Sequence, residues 1–299
     1  MNIRSLLSLL IILPAVSHAK PFEVKPLTKP GLFTGGIEGP ACDKEGNLYA
    51  VSFGEARTIG KVTPDGKASA WIQLPEGSKG NGIRFNQAGE MFVADYTGHN
   101  VLKIDPKTKK ISVFAHEPKM HQPNDLAIAA DGTLYASDPD WSKGDGALWR
   151  ISTCGKVTQL ADGHGTTNGI EVSPDGKTLY VAESRQHRVL AYDLSEEGIS
   201  NERVLIEFDG HSLDGMRCDV DGNLYITRHG AGLVLKLTSC GSILQSIKLP
   251  GTRPSNLCFG GPDGKTVYIT EVDTRQVLTF RADRPGLAWQ RWQESKASK

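Results

Sequence analysis

The sequence predicts an all-β fold, a six-bladed β-propeller of four-stranded blades whose central channel carries a metal site. Three observations predict it. A glycine-containing turn phrase that opens a strand occurs six times, an alternating segment follows each occurrence, and one polar residue stands at a fixed distance before each phrase. The phrases recur at the spacing of roughly 40–45 residues that is typical of one propeller blade.

The chain begins with a segment that resembles a secretory signal peptide. Arg4 supplies a positive charge, Leu6 to Val16 form an apolar run, and residues 17–19 fit a cleavage pattern of small residues. A membrane anchor is the alternative, but the run is shorter than the roughly 20 residues that span a bilayer. We therefore expect residues 1–19 to be a signal peptide and residues 20–299 to form the propeller. The mature protein is expected to be periplasmic or secreted, without membrane attachment.

The charge composition indicates a small-molecule partner. Lys and Arg total 34, Asp and Glu total 34, and neither sign forms a long run. The sequence therefore lacks the basic surface expected of a nucleic-acid-binding protein. Oligomeric state is not readable from these features.

The chain has five cysteines, an odd number that leaves at least one thiol unpaired. Cys42, Cys218 and Cys258 stand in apolar strand contexts. This favours buried free thiols, which behave as small hydrophobic side chains, while disulfide pairing remains open.

The turn phrase places a glycine just before the start of a strand. Its six glycines are Gly46, Gly89, Gly132, Gly176, Gly222 and Gly264. Glycine supplies the positive φ of a tight turn, and the aromatic residue that follows within a few positions favours a strand. Each phrase therefore predicts a β-hairpin.

A second set of segments alternates apolar and polar residues like half-buried third strands. These segments begin at Ile59, Val101, Ala147, Val189, Val234 and Val277. A β-sandwich would not repeat one turn phrase six times. No segment is predicted to form a helix of useful length. We expect residues 22–27 to close the ring as an outer strand of the last blade, with residues 287–292 as the alternative.

One oxygen-bearing side chain stands eight positions before each repeat glycine. The six residues are Glu38, Asn81, Asn124, Asn168, Asp214 and Asn256. This position is the predicted start of the innermost strand, and in a propeller those starts surround one mouth of the channel. Turn-forming pairs with glycine would explain only four of the six, since no glycine follows Asn124 or Asn256. We therefore predict a polar ring around the channel mouth.

The predicted ring suits one hard divalent cation, because such ions prefer oxygen ligands and the ring offers two carboxylates among its six side chains. Calcium is the leading candidate, and zinc, magnesium or manganese bound through oxygen remain open. No Cys or His occupies a ring position, so a structural zinc site is not indicated.

The predicted second strands end at the same face as the ring. Their last polar residues are Asp95, Asp138, Glu183, Arg228 and Glu271. We add Asp138 to the candidate site as a substrate-binding residue, with a surface turn as the alternative.

Two catalytic motifs are only superficially present. The segment from His116 to His121 is one residue too long for a metalloprotease helix and contains Pro118. The segment 210–214 lacks the final glycine of a nucleophile elbow. Neither a metalloprotease nor a serine hydrolase is therefore indicated.

The chain resembles the gluconolactonase and regucalcin family of six-bladed propellers, which includes the luciferin-regenerating enzymes. The resemblance extends from residue 31 to about 280. It is carried by Ile37-Glu38-Gly39-Pro40, Pro123-Asn124-Asp125-Leu126, Ser137-Asp138-Pro139, Thr167-Asn168-Gly169-Ile170, Leu213-Asp214-Gly215-Met216 and Asn256-Leu257-Cys258-Phe259-Gly260-Gly261.

The resemblance implies specific roles for part of the ring. It implies that Glu38, Asn168 and Asp214 hold the metal, and that Asn124 completes the coordination or contacts substrate. Gln122 stands where the animal members have Arg. Details of substrate recognition therefore do not carry over.

The ring and the resemblance together predict a metal-dependent lactonase acting on a sugar lactone such as an aldonolactone. The cation would polarise the ester carbonyl, and Asp214 would serve as ligand and as general base for the attacking water. Asn124 and Asn81 would donate hydrogen bonds to the carbonyl or to a hydroxyl. The alternatives are a phosphotriesterase or arylesterase that uses the same ion, and a non-catalytic calcium-binding propeller.

Overall fold

The computed structural model describes residues 21–297, with side chains described as far as Glu294. The predicted signal peptide lies outside the described residues. Residues 21–297 form six four-stranded sheets and one helix. The predicted six-bladed β-propeller is therefore confirmed.

Each blade is an antiparallel sheet, and in blades 1–5 the strands are hydrogen-bonded in chain order from the channel outward. The chain enters through β1 (Lys25–Pro26), which belongs to the last blade. Blade 1 contains β2 (Phe33–Cys42), β3 (Leu48–Phe53), β4 (Thr58–Val62) and β5 (Ala68–Gln73). Blade 2 contains β6 (Gly80–Phe85), β7 (Met91–Asp95), β8 (Asn100–Ile104) and β9 (Ile111–His116). Blade 3 contains β10 (Leu126–Ile128), β11 (Leu134–Asp140), β12 (Asp145–Ile151) and β13 (Val157–His164).

The second half of the ring repeats this arrangement. Blade 4 contains β14 (Thr167–Val172), β15 (Thr178–Glu183), β16 (Arg188–Ser195) and β17 (Gly198–Glu207). Blade 5 contains β18 (Ser212–Cys218), β19 (Leu224–His229), β20 (Leu233–Leu237) and β21 (Ile243–Lys248). Blade 6 contains β22 (Pro254–Gly260), β23 (Thr266–Glu271) and β24 (Gln276–Arg281), followed by β1.

The repeat glycines lie in the hairpin turns between the first and second strands of each blade, as predicted. All six adopt φ values between 71° and 91°, in the left-handed region that favours glycine. The polar turn residues cap these hairpins. In blade 1, the Asp43 carboxylate accepts hydrogen bonds from the backbone N–H groups of Glu45 and Asn47.

The core lies between the blades. Val51 and Ile59 of blade 1 contact Ile83, Val93 and Leu102 of blade 2 in one buried cluster, and related clusters join the other blades. This burial supplies most of the favourable free energy of folding. The packing between blades thereby holds the innermost strands, which line the channel, in fixed positions.

The ring is closed by β1, which pairs antiparallel with β24 and places Lys25 opposite Thr279. The prediction that residues 22–27 contribute the closing strand is confirmed. Residues 287–292, the alternative, belong to a helix instead.

The prediction that no useful helix forms is wrong, because α1 (Leu287–Ala297) follows the last blade. Leu, Ala, Gln, Arg, Glu and Lys in this segment are strong helix formers. Leu287 and Trp292 are buried against blade residues at the channel end opposite the ring. None of the described helical residues forms a segment long and apolar enough to span a membrane.

The described cysteines are all free thiols. Cys42, Cys218 and Cys258 are buried, as predicted, and Cys42 Sγ lies 3.8 Å from Cys258 Sγ without a disulfide bond. Cys154 and Cys240 are exposed in turns.

Candidate functional site

The six predicted ring residues meet at one mouth of the channel. Five of them lie within the innermost strands β2, β6, β14, β18 and β22, and Asn124 lies just before β10. Hydrogen bonds join neighbouring blades at this level. Asn256 Nδ2 donates to Glu38 Oε2 at 2.9 Å, and Asn81 Nδ2 donates to the Asn124 carbonyl at 3.1 Å.

Glu38 and Asp214 form the acidic part of the ring. Burial, and next the Asp125 carboxylate, raise the pKa of Glu38 to about 7 against the opposing hydrogen bonds from Gly39 and Asn256. Burial, and next the neighbouring Glu38, raise the pKa of Asp214 well above its usual range, although Asn168 donates a hydrogen bond to it. The two neighbouring carboxyl groups therefore resist being ionised at the same time. A bound divalent cation would stabilise both as carboxylates.

Two amide oxygens complete the candidate donor set. Asn124 Oδ1 and Asn168 Oδ1 are buried and accept no hydrogen bond from any residue in the described part of the chain. Asn168 Nδ2 donates to Ser184 Oγ at 3.0 Å, which fixes the orientation of the amide. Buried acceptors without a donor are rare and call for an explanation. Two carboxylates and two amide oxygens are ligands that a hard cation such as calcium prefers.

The metal ligands predicted from the resemblance are therefore brought together, and their chemistry fits one oxygen-bound cation. Glu38 and Asp214 interact with each other, and Asn168 contacts Asp214. Within residues 21–297, no group of three or more His, Cys, Asp and Glu side chains is arranged to hold a metal ion.

Four glycines directly follow ring residues, and their role is close packing between blades. These are Gly39, Gly82, Gly169 and Gly215. A Cβ added to Gly169 would lie 2.2 Å from the Asp214 carbonyl oxygen, and one added to Gly215 would lie 2.0 Å from Asn256 Cγ. Of the four, Gly39 alone has a positive φ, so turn conformation does not account for the others.

We expect Gly169→Ala to displace Asp214 and to destabilise the protein by about 1–3 kcal/mol, since the added methyl group meets backbone. Urea denaturation measures the change. Gly210→Ala is the matched control, because a Cβ there has no neighbour within 4 Å. Equal stability of the two variants would contradict close packing at Gly169.

Asp125 is a central residue that sequence reasoning missed. It is fully buried, and its carboxylate accepts hydrogen bonds from Arg84 Nη1 at 3.2 Å, Arg217 Nη1 at 3.0 Å and Asn256 Nδ2 at 3.3 Å. Burial alone would raise the pKa of Asp125, but Arg217 and Arg84 hold it below its usual range. Its position in the sequence could have identified it, because Asp125 directly follows a ring residue, where four other blades have glycine.

The polar residues at the ends of the second strands anchor loops. Asp138 Oδ1 accepts hydrogen bonds from the backbone N–H groups of His121 at 2.8 Å and Gln122 at 2.6 Å, and Trp149 Nε1 donates to Asp138 Oδ2 at 2.9 Å. Asp138 thereby positions the loop that leads to Asn124. Its predicted contact with substrate stays a prediction.

Residues at the ends of the second strands of other blades also hold loops through hydrogen bonds to the backbone. Asp95 accepts from the Lys79 N–H, Glu183 from Gly165 and Glu271 from Arg253, while Arg228 donates to the Gly210 carbonyl. In each case the partner is the loop that precedes the ring residue of the same blade. These side chains are therefore committed to holding the mouth loops.

Comparisons with known proteins agree with this architecture. The family model described as the SMP-30/Gluconolactonase/LRE-like region matches residues 37–273. A gluconolactonase from Zymomonas mobilis is 28% identical over 270 residues, which cover 78% of this chain and 75% of that protein. A diisopropyl-fluorophosphatase from Loligo vulgaris is 29% identical over 286 residues, which cover 84% of this chain and 90% of that protein.

A solved structure shares the fold. The crystal structure of a calcium-binding protein, regucalcin, from Agrobacterium tumefaciens has a TM-score of 0.76 and 20% sequence identity, covering 89% of this chain and 97% of that chain. The family match includes all six ring residues. The chain therefore belongs to the SMP-30/gluconolactonase/LRE-like family.

Proposed function

We propose that the protein is a divalent-cation-dependent lactonase, with calcium as the favoured ion and a sugar lactone as the substrate class. One observation carries the proposal: two neighbouring carboxyl groups with raised pKa values share the ring with two buried amide oxygens that have no donor in residues 21–294. The similarity to a gluconolactonase supports the reaction class.

Glu38, Asn168 and Asp214 would hold the cation, with Asn124 as a fourth ligand. When bound, a divalent cation supplies Lewis acidity that polarises an ester carbonyl and stabilises the developing oxyanion. The first task of these residues is to present oxygen atoms at fixed positions. Their hydrogen bonds to Asn256, Ser184 and one another serve that purpose.

Asp214 is the proposed general base. A carboxylate engaged through one oxygen keeps the other available to accept a proton from the attacking water. The neighbouring Asn168 hydrogen bond orients the Asp214 carboxyl group. The proton would later pass to the alkoxide leaving group of the opened lactone.

Asn81 and Asn124 are the proposed substrate-orienting residues. Asn81 is half-buried, and its amide donates one hydrogen bond to the Asn124 carbonyl. Its second N–H would be free to donate to a lactone carbonyl or a sugar hydroxyl. Asp138 supports the loop that carries Asn124 and thereby contributes to the shape of the mouth.

Removal of divalent cations tests the proposal. We expect chelation to abolish hydrolysis of aldonolactones in a pH-stat assay and added calcium to restore it. Apparent calcium affinity should rise with pH by about tenfold per unit for each displaced proton, through the Glu38 pKa of about 7 and further where Asp214, whose pKa is also raised, still carries a proton. The sign follows because the proton on Glu38 competes with the ion below that pH.

The same assay separates the alternatives. A diisopropyl-fluorophosphatase is among the relatives, so organophosphate hydrolysis is measured at the same calcium concentration. Faster turnover of the organophosphate would replace the lactonase assignment by a phosphotriesterase. Tight calcium binding without turnover of any ester would favour the non-catalytic propeller.

A further inference from the structure

A cavity of about 550 Å³ lies at the end of the channel opposite the polar ring. Its walls come from the last residues of the innermost strands, including Phe85 and Phe259, and its floor comes from α1. Leu287, Ala288, Trp289 and Trp292 are the apolar contributions of the helix. The volume is within the range of sites that bind small molecules.

Two guanidinium groups of this cavity have a nitrogen without a partner among the described residues. Arg217 and Arg291 are 7% and 9% exposed, and each lines the cavity. Arg217 Nη1 donates to Asp125 and Arg291 Nη1 donates to the Ile128 carbonyl, whereas Nη2 of both residues is buried without an acceptor in the described part of the chain. A buried cationic donor without an acceptor is costly and therefore indicates a missing ligand.

Three guanidinium groups at this end of the channel offer positive charge to an anion. Arg84 and Arg217 share the single carboxylate of Asp125, and Arg291 adds a further positive charge. Glu171 lies on the same wall, interacts electrostatically with Arg84 and accepts a hydrogen bond from the Val172 N–H. Asp43, Lys44 and Glu45 line the cavity edge, where Asp43 is engaged within its own turn and Lys44 offsets the charge of Glu45.

We propose that this cavity binds a small amphipathic carboxylate, whose carboxyl group is held by Arg217 and Arg291 and whose apolar body lies against the aromatic walls. Planar guanidinium groups recognise carboxylates through parallel, charge-assisted hydrogen bonds. The site is distinct from the polar ring, because the buried layer of Arg84, Asp125 and Arg217 separates the two ends of the channel.

Calorimetric titration of the mature protein with octanoate tests the proposal, with octanamide as the uncharged analogue. We expect octanoate to bind at least about tenfold more tightly than octanamide, since hydrogen bonds to a charged acceptor are the stronger ones. Lactone hydrolysis is assayed in the same preparations. Absence of lactone hydrolysis would contradict the proposed function but would not bear on octanoate binding in this cavity.

Arg291→Gln should weaken octanoate binding by about tenfold or more, and Arg291→Lys should weaken it less because the positive charge is kept. Arg284→Gln is the matched control, since Arg284 forms an exposed ion pair with Asp221 and does not line the cavity. Octanoate affinity unchanged in Arg291→Gln, or equal for octanoate and octanamide in the wild-type protein, would overturn the proposal.

A crystal structure of the wild-type protein with octanoate needs no variant. The proposal expects the carboxylate within hydrogen-bond distance of Nη2 of Arg217 or Arg291. Density for octanoate at the polar ring alone would overturn it.

Discussion

Asp214→Asn is expected to lower kcat for lactone hydrolysis by about 10²- to 10⁴-fold, the range that a general base contributes. The amide keeps the shape of the side chain but cannot accept the proton of the attacking water. The substitution also removes one of the two ring carboxylates, which are Glu38 and Asp214. A pH-stat assay with an aldonolactone at saturating calcium measures the effect.

Asp162→Asn provides the matched control, because Asp162 is exposed and accepts a hydrogen bond from the adjacent Gly163 N–H, away from the ring. Calcium titration of both variants separates the two roles proposed for Asp214. Retained calcium affinity with lost turnover would identify it mainly as the base, and loss of both would identify it mainly as a ligand. Wild-type kcat in Asp214→Asn would refute its assignment.

Asp125→Asn is expected to reduce the free energy of unfolding by about 3–5 kcal/mol, the cost of breaking a buried ion pair by removing one partner. Arg84 and Arg217 would both lose the carboxylate that neutralises them. Urea denaturation monitored by circular dichroism measures the change.

The exposed substitution Asp162→Asn again serves as control and should change stability by less than about 0.5 kcal/mol. A loss below about 1 kcal/mol in Asp125→Asn would show that the guanidinium groups find other partners. The Asp125→Asn variant should also change the pKa of Glu38. Because Asp125 contributes to the raised pKa of Glu38, its removal should lower that pKa.

The fold could be predicted because each blade repeats one local pattern. A glycine turn, an aromatic strand start and a ring residue eight positions earlier are short-range features, and six repetitions fix the architecture. The ring could be located for the same reason. Its division into ligands and lining came from the family resemblance and stays a prediction.

Other features escaped prediction because they depend on contacts between distant segments. Arg84, Asp125 and Arg217 come from three blades, and no local pattern pairs them. The side chain of Asp138 was expected near substrate because its strand ends at the mouth, yet its orientation is decided by the loop N–H groups it accepts. Helix α1 was missed although its residues favour a helix, because residues 287–292 were interpreted as an alternative closing strand.

The Asp125 contacts bear on how selective the channel mouth is. Arg84, Asp125, Arg217 and Asn256 belong to blades 2, 3, 5 and 6, so four of the six blades meet at a single carboxylate. These hydrogen bonds between blades fix the width of the channel at this level through protein contacts alone. The oxygen atoms above it are consequently spaced before any ligand arrives, so the cation site proposed above would favour ions whose radius matches that spacing.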